Sequence, residues 1–138
     1  STRKRTLFPY TTLFRSLHPA VSVPLPIDQN RHVVAMSFVP GANLSRAALA
    51  EPEIILDEIL DNIREAYRLG IIHGDLSEFN VMVDEKQCWL IDWPQWVEIA
   101  HPNAGEILAR DIGNILQYFK RKYGIEYAFE EALARVVE

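Results

Sequence analysis

The stretch Ile72-His73-Gly74-Asp75-Leu76-Ser77-Glu78-Phe79-Asn80 is followed by Val81-Met82-Val83, a polar turn from Asp84 to Gln87, and Cys88-Trp89-Leu90-Ile91-Asp92-Trp93-Pro94. Two short β-favouring runs joined by a polar turn predict an antiparallel hairpin. Asn80 and Asp92 then sit at its outer ends, which antiparallel pairing brings together in space. Asp75 stands in the loop that leads into the first strand. An acid, an amide and a second acid gathered in this way suit phosphoryl transfer. Asp75 would orient a hydroxyl or a water, while Asn80 and Asp92 would offer hard oxygen ligands to Mg²⁺. Taken singly, each has a plainer reading, Asp75 and Asn80 as loop-capping residues and Asp92 as a turn residue ahead of Pro94. The order and flanks of all three favour the shared site.

Working outward, Pro52 fits a first helical position, and Ile55, Leu56, Ile59, Ile63, Ala66 and Tyr67 recur at helical spacing up to a stop at Gly70. Upstream, Val23 to Asp28 and His32 to Val39 read as a hairpin turned at Gln29-Asn30, with Pro40-Gly41 ending its second strand. Ser45 is expected to cap a short helical turn through Ala50. Downstream, Asn103 with Glu106 resembles a capping box for a helix carrying Ile107, Leu108, Ile112, Ile115, Leu116 and Phe119 as far as Tyr123 and Gly124. A last helix runs through Phe129, Leu133 and Val136. These elements predict an α+β fold, mostly helical.

The 138 residues suffice for one domain with a core, and 49% hydrophobic with 24% charged residues is ordinary globular composition. No apolar run approaches a membrane span. Cys88, the single cysteine, has no disulfide partner and reads as a small buried strand residue, which fits a reducing, cytoplasmic setting. The net charge of -5 hides a basic N-terminal stretch with Arg3, Lys4, Arg5 and Arg15, and the acidic remainder argues against general polyanion binding. Lys120, Arg121 and Lys122 read as a favourable cationic last turn. Ser1 to Ser16 lacks the apolar centre of a secretory signal and is expected to be a non-native leader, with a basic arm as the alternative.

The run from His73 to Asn80 with Ile91-Asp92-Trp93-Pro94-Gln95 resembles the catalytic and metal-binding loops of the RIO family of atypical protein kinases. Trp93-Pro94-Gln95, His101-Pro102-Asn103-Ala104 and Arg110-Asp111-Ile112-Gly113-Asn114-Ile115 ahead of Tyr118-Phe119 resemble its second subfamily, with an archaeal look. The resemblance implies a kinase-like C-terminal lobe over residues 40–138, with 17–39 as a remnant of the N-terminal lobe and hinge. It implies Asp75 as the catalytic aspartate, Asn80 and Asp92 as metal ligands, and Asp92 as the acceptor of an aspartyl-phosphate. Met36, Ser37, Phe38 and Val39 would form the hinge against the adenine, and Met82 and Ile91 would line the ATP pocket. The cofactors implied are ATP and Mg²⁺, with Mn²⁺ as a substitute, and the partner implied is the maturing small ribosomal subunit, its RNA and proteins.

The family also uses a glycine-rich loop and a strand lysine upstream, and no Gly precedes Gly41 here. This chain by itself is therefore expected to bind Mg-ATP weakly and not to turn it over. Two rival readings stand beside the kinase. One is a small-molecule phosphotransferase of the aminoglycoside or choline kinase type, against which Ser77-Glu78-Phe79 and Pro94-Gln95 weigh. The other is a non-catalytic kinase-like scaffold, against which the intact Asp75, Asn80 and Asp92 weigh. Two helpers are named as well. Asp111 is expected to brace the catalytic loop through backbone hydrogen bonds, with simple exposure on its helix as the alternative, and His73 is expected to pack in that loop rather than act as an acid or base.

Overall fold

The computed structural model describes residues 26–29, 34–36, 41–85 and 87–138. Strand β1, Pro26–Gln29, pairs antiparallel with β2, Val34–Met36, in the expected hairpin. The expected leader Ser1 to Ser16, the outer limits of that hairpin, and Ser37, Phe38 and Val39 of the expected hinge lie outside the described residues.

Helix α1, Pro52–Arg68, starts on its proline and buries Ile55, Leu56, Ile59, Leu60, Ile63 and Ala66 on one face. It ends at Gly70, whose amide closes on the Tyr67 carbonyl at 2.8 Å. Three strands form one small sheet in the order β3, Ala42–Asn43, then β5, Val81–Asp84, then β6, Gln87–Leu90. Alternation along the hairpin turns Val81, Val83, Cys88 and Leu90 into the core, where β6 packs against α1, and leaves Met82 and Trp89 half-buried on the other face. The approach of β3 to β5 depends on Gly41, at φ +95°, because a Cβ there would overlap the Val83 carbonyl oxygen. Strands β4, Ile71–Ile72, and β7, Val97–Glu98, form a second antiparallel pair flanking the loop that carries Asp75.

Helix α2, Ala104–Tyr123, buries Leu108, Ile112, Ile115, Tyr118 and Phe119, and Gly124 ends it in a left-handed conformation at φ +68°. Helix α3, Phe129–Val137, packs across α1, where Arg135 reaches Asp57 at 2.8 Å and Asp61 at 2.9 Å.

Two expected caps differ from the observed ones. The turn after β3 covers only Leu44–Arg46, and Asn43 caps it, its Oδ1 accepting from the Ser45 amide at 3.0 Å. The turn starts two residues earlier than expected, so the extended Asn43 rather than Ser45 holds the capping position. Asn103 stands at the N-terminus of α2 without a side-chain cap, since its backbone, at φ -103° and ψ 17°, is not extended. Its amide instead donates to His101 Nδ1 at 3.0 Å.

Candidate functional site

The loop between β4 and β5 contains no long regular element, so side chains must satisfy its backbone polar groups. Helix α2 supplies several of them. Asp111 is almost fully buried, at 1% exposure, and its two carboxylate oxygens accept from the Gly74 amide at 2.8 Å and the Leu76 amide at 3.0 Å. Arg110 donates to the Gly74 carbonyl at 2.8 Å, and Asn114 to the Leu76 carbonyl at 3.2 Å. Two helical turns further on, Arg121 pairs with Glu78 at 3.1 Å. The bracing role expected of Asp111 is thus observed. Burial pushes its carboxyl above the ordinary value, while the two amides, His73 and Arg110 draw it back.

His73 is buried beneath the loop. Its Nδ1 accepts the Asp75 amide at 3.2 Å, which leaves Nε2 to donate to the Ile91 carbonyl at 2.7 Å and fixes the neutral tautomer. Burial lowers its pKa against the pull of the Ile91 carbonyl and the carboxylates of Asp111, Asp75 and Asp92. Its ring lies tilted against Trp93 with centroids 4.7 Å apart. The histidine thus ties the Asp75 loop to the segment that carries Asp92.

The hairpin brings the acid, amide and acid to one place. Asn80 Nδ2 donates to the Asp75 carbonyl at 2.6 Å, and the Asn80 carbonyl accepts from the Ile91 amide at 2.9 Å. Asp92 follows in a left-handed conformation, φ +62°, between the fully buried anchors Leu90 and Trp93. The Trp93 indole donates to the Leu90 carbonyl at 2.9 Å, closing a tight reversal that turns Asp92 outward. Aspartate tolerates that backbone better than most residues, although strain of this kind costs on the order of 1–3 kcal/mol.

The carboxylates of Asp75 and Asp92 are exposed, and no protein group among the described residues donates to them or to Asn80 Oδ1. Among the described residues no three His, Cys, Asp or Glu side chains gather around a metal position. Carboxylate and amide oxygens are the kind of hard donor that Mg²⁺ takes alongside phosphate oxygens and water. The amide nitrogen of Asn80 is already occupied by Asp75, so its oxygen is the atom left to bind.

Of the expected ATP-pocket residues, Ile91 lies within this cluster and Met82 two residues along β5 from Asn80, both half-buried. Met36 is placed only by its strand. A concavity of about 770 Å³ lies at the opposite end of the hairpin, against Gly41, Arg46, Leu49, Val83 and Glu85. It contains none of the three site residues, and chemistry rather than volume marks the candidate site. Reading the sequence for function missed Arg110, Asn114 and Arg121 as partners of the loop. Their signal was a polar stripe at helical spacing, Arg110, Asp111, Asn114 and Arg121, beside the apolar one.

The family model described as RIO domain matches residues 10–132. The chain is 46% identical over 121 residues to the RIO-type serine/threonine-protein kinase Rio2 of Methanocaldococcus jannaschii, covering 83% of this chain and 44% of that protein. It is 33% identical over 118 residues to the RIO-type serine/threonine-protein kinase Rio1 of Haloferax volcanii, covering 82% of this chain and 41% of that protein. The chain thus spans less than half the length of these relatives. A crystal structure of the Rio2 kinase-ADP/Mg²⁺-phosphoaspartate complex from Chaetomium thermophilum superposes with a TM-score of 0.80 at 25% identity, over 98% of this chain and 45% of that one.

Proposed function

The chain belongs to the RIO family, with a Rio2-type kinase among its relatives, and from that premise we propose that it carries the catalytic and metal-binding half of an ATP-dependent phosphoryl-transfer site. The activity proposed is that of the whole protein, of which residues 40–138 form the C-terminal lobe and 17–39 a part of the N-terminal lobe and hinge. One observation carries the proposal. The Asn80 side-chain nitrogen is spent on the Asp75 backbone and the Asn80 main-chain carbonyl on the Ile91 amide, which ties the three segments together, while the Asn80 side-chain oxygen and the exposed Asp75 and Asp92 carboxylates have no hydrogen-bond donor among the described residues.

In this reading Asn80 and Asp92 hold Mg²⁺ (or Mn²⁺), which supplies charge neutralisation for the transferring phosphate. Asp92 is the phosphoryl acceptor. Its carboxylate oxygen bonds to the γ-phosphorus as the bond to the β-γ bridging oxygen breaks and ADP leaves. A water then attacks that phosphorus, its proton passes to Asp75, and phosphate departs from the regenerated Asp92 carboxylate. With a hydroxyl-bearing substrate, Asp75 would orient the hydroxyl in the same way. Met82 and Ile91, with Met36, Ser37, Phe38 and Val39, would enclose the adenine. The relative crystallised with ADP, Mg²⁺ and phosphoaspartate supports this assignment. The setting proposed is cytoplasmic maturation of the small ribosomal subunit, with its RNA and proteins as partners. No helix among the described residues is long and apolar enough to cross a membrane. Relatives named as serine/threonine-protein kinases weigh against a small-molecule phosphotransferase.

The test uses the full-length protein with γ-labelled ATP. ATP turnover and a hydroxylamine-labile protein phosphate are expected, the phosphate lost in Asp92→Asn and the turnover lost in Asp75→Asn. Full turnover in both variants would sink the assignment.

A further inference from the structure

We propose that Arg110 is a positioning residue for Asp75, acting through the Gly74 carbonyl, with Asn114 as a second hold one peptide further on. This inference rests on the reading of Asp75 as the reactive aspartate.

Two peptide groups flank the Asp75 Cα, and together they present two carbonyls and two amides. In the Gly74-Asp75 peptide the carbonyl accepts from Arg110 at 2.8 Å and the amide donates to His73 at 3.2 Å. In the Asp75-Leu76 peptide the carbonyl accepts from Asn80 at 2.6 Å and the amide donates to Asp111 at 3.0 Å. All four groups thus meet side chains, and none of these bonds is made by backbone. Both torsions of Asp75 are therefore held by four side chains on three different segments. The Leu76 carbonyl, bonded to Asn114 at 3.2 Å, extends the same grip.

Arg110 differs from the other three in making, among the described residues, no second hydrogen bond and no packing contact that would hold it, its only other interaction being the charge it shares with Asp111. His73 is buried against Trp93, Asn80 faces the candidate metal position, and Asp111 also holds the Gly74 amide. Arg110 is exposed on α2, and the Gly74 carbonyl is the one hydrogen-bond partner of its guanidinium among the described residues, with the Asp111 carboxylate also within reach of its charge. Fixing an exposed arginine costs rotamer entropy with no apolar burial in return. What it offers is a charge-assisted bond to a carbonyl that needs one. The need is local. Gly74 at φ +93° has no Cβ to resist rotation, so without Arg110 the Gly74-Asp75 peptide is held only at its amide, by His73 at 3.2 Å, and can tilt about that hold and carry the Asp75 carboxylate with it.

The test is Arg110→Met in the full-length protein, read in two independent ways. Amide exchange at Asp75 is expected to rise about tenfold or more, with exchange in the core of α1 unchanged. The kcat for ATP turnover is expected to fall by about 10–100-fold with KM for ATP within about twofold, since misplacement rather than lost binding is the defect. Arg110→Lys should recover part of that loss, since it keeps a charged donor for the Gly74 carbonyl. Unchanged exchange at Asp75 overturns the proposal, as does a kcat within about twofold of wild type. If Arg110→Met does not fold, Asn114→Ala must raise exchange around Leu76 and Ser77 and lower kcat, and failure of both overturns it too. A wild-type protein without ATP turnover would refute the proposed function, while the exchange measurement would still decide for or against Arg110.

Discussion

The side-chain amide of Asn80 donates to the main-chain oxygen of Asp75 at 2.6 Å, so the candidate metal ligand is tied directly to the backbone of the candidate catalytic acid. Asn80→Asp separates the two roles. It keeps an oxygen for the cation, with added charge, but removes the donor and sets a carboxylate against a carbonyl. The expected result is Mg²⁺ affinity equal to or tighter than wild type with turnover lowered at least about tenfold, about 1.4 kcal/mol in the barrier. A magnesium titration of ATP turnover separates the two quantities, and a variant with wild-type maximal rate would show that the amide bond is dispensable.

Asp111 holds two buried amides with two oxygens. An asparagine has only one acceptor oxygen, so Asp111→Asn turns an NH₂ group toward one of those amides and leaves it unpaired. The expected cost is about 1–3 kcal/mol, less whatever is regained by no longer burying a charge. Urea denaturation should show the lower midpoint and turnover should fall with it. Unchanged stability together with unchanged nucleotide affinity would mean that the loop does not depend on this brace.

The hairpin and its mouth were legible because period and turn chemistry are local properties. Val81-Met82-Val83 and Cys88 to Ile91 are short apolar, β-favouring runs, the polar turn joins them, and antiparallel geometry does the rest. The helices were legible from spacing, including their stops at Gly70 and Gly124. The caps at Asn43 and Asn103 were misread because capping depends on the backbone angles of a single residue, which composition does not report. The grip of α2 on the loop was visible only in part. Asp111 drew notice as an acid in an apolar stripe, whereas Arg110 and Asn114 look like ordinary solvated helix residues until the loop is placed beside them. The short strand β3 pairs through backbone atoms, so its side chains carry little trace of it.

Gly74 is required for two reasons that coincide. Its φ is +93°, and a Cβ would overlap the Gln95 carbonyl oxygen where the chain after Asp92 passes beneath the loop. Gly74→Ala should therefore cost more than about 2 kcal/mol, above the roughly 1–2 kcal/mol of a left-handed backbone alone. Gly124 supplies the control, with φ +68° and open space around its Cα. Gly124→Ala should cost only about 1 kcal/mol. Equal shifts in denaturation midpoint for the two variants would remove the packing argument.

His73 makes stability depend on pH in a defined direction. Its ordinary pKa of 6.5 applies to the unfolded chain, and burial places the folded value below it. Between those two values the unfolded state binds the extra proton, so its share of stability is whole above pH 6.5 and is lost as pH falls toward the folded pKa. The slope approaches about 1.4 kcal/mol per pH unit if the shift is wide. Asp111 acts in the opposite sense, because its raised pKa lets the folded state take up a proton first as the medium acidifies. A His73→Gln variant isolates the histidine, since glutamine is neutral throughout and the Asp111 contribution stays in both proteins. Thermal melts between pH 7.5 and 5.5, roughly the range in which an ordinary histidine titrates, should fall steeply for wild type and less for the variant. Parallel curves would mean that His73 becomes protonated in place, its burial offset by the three carboxylates around it.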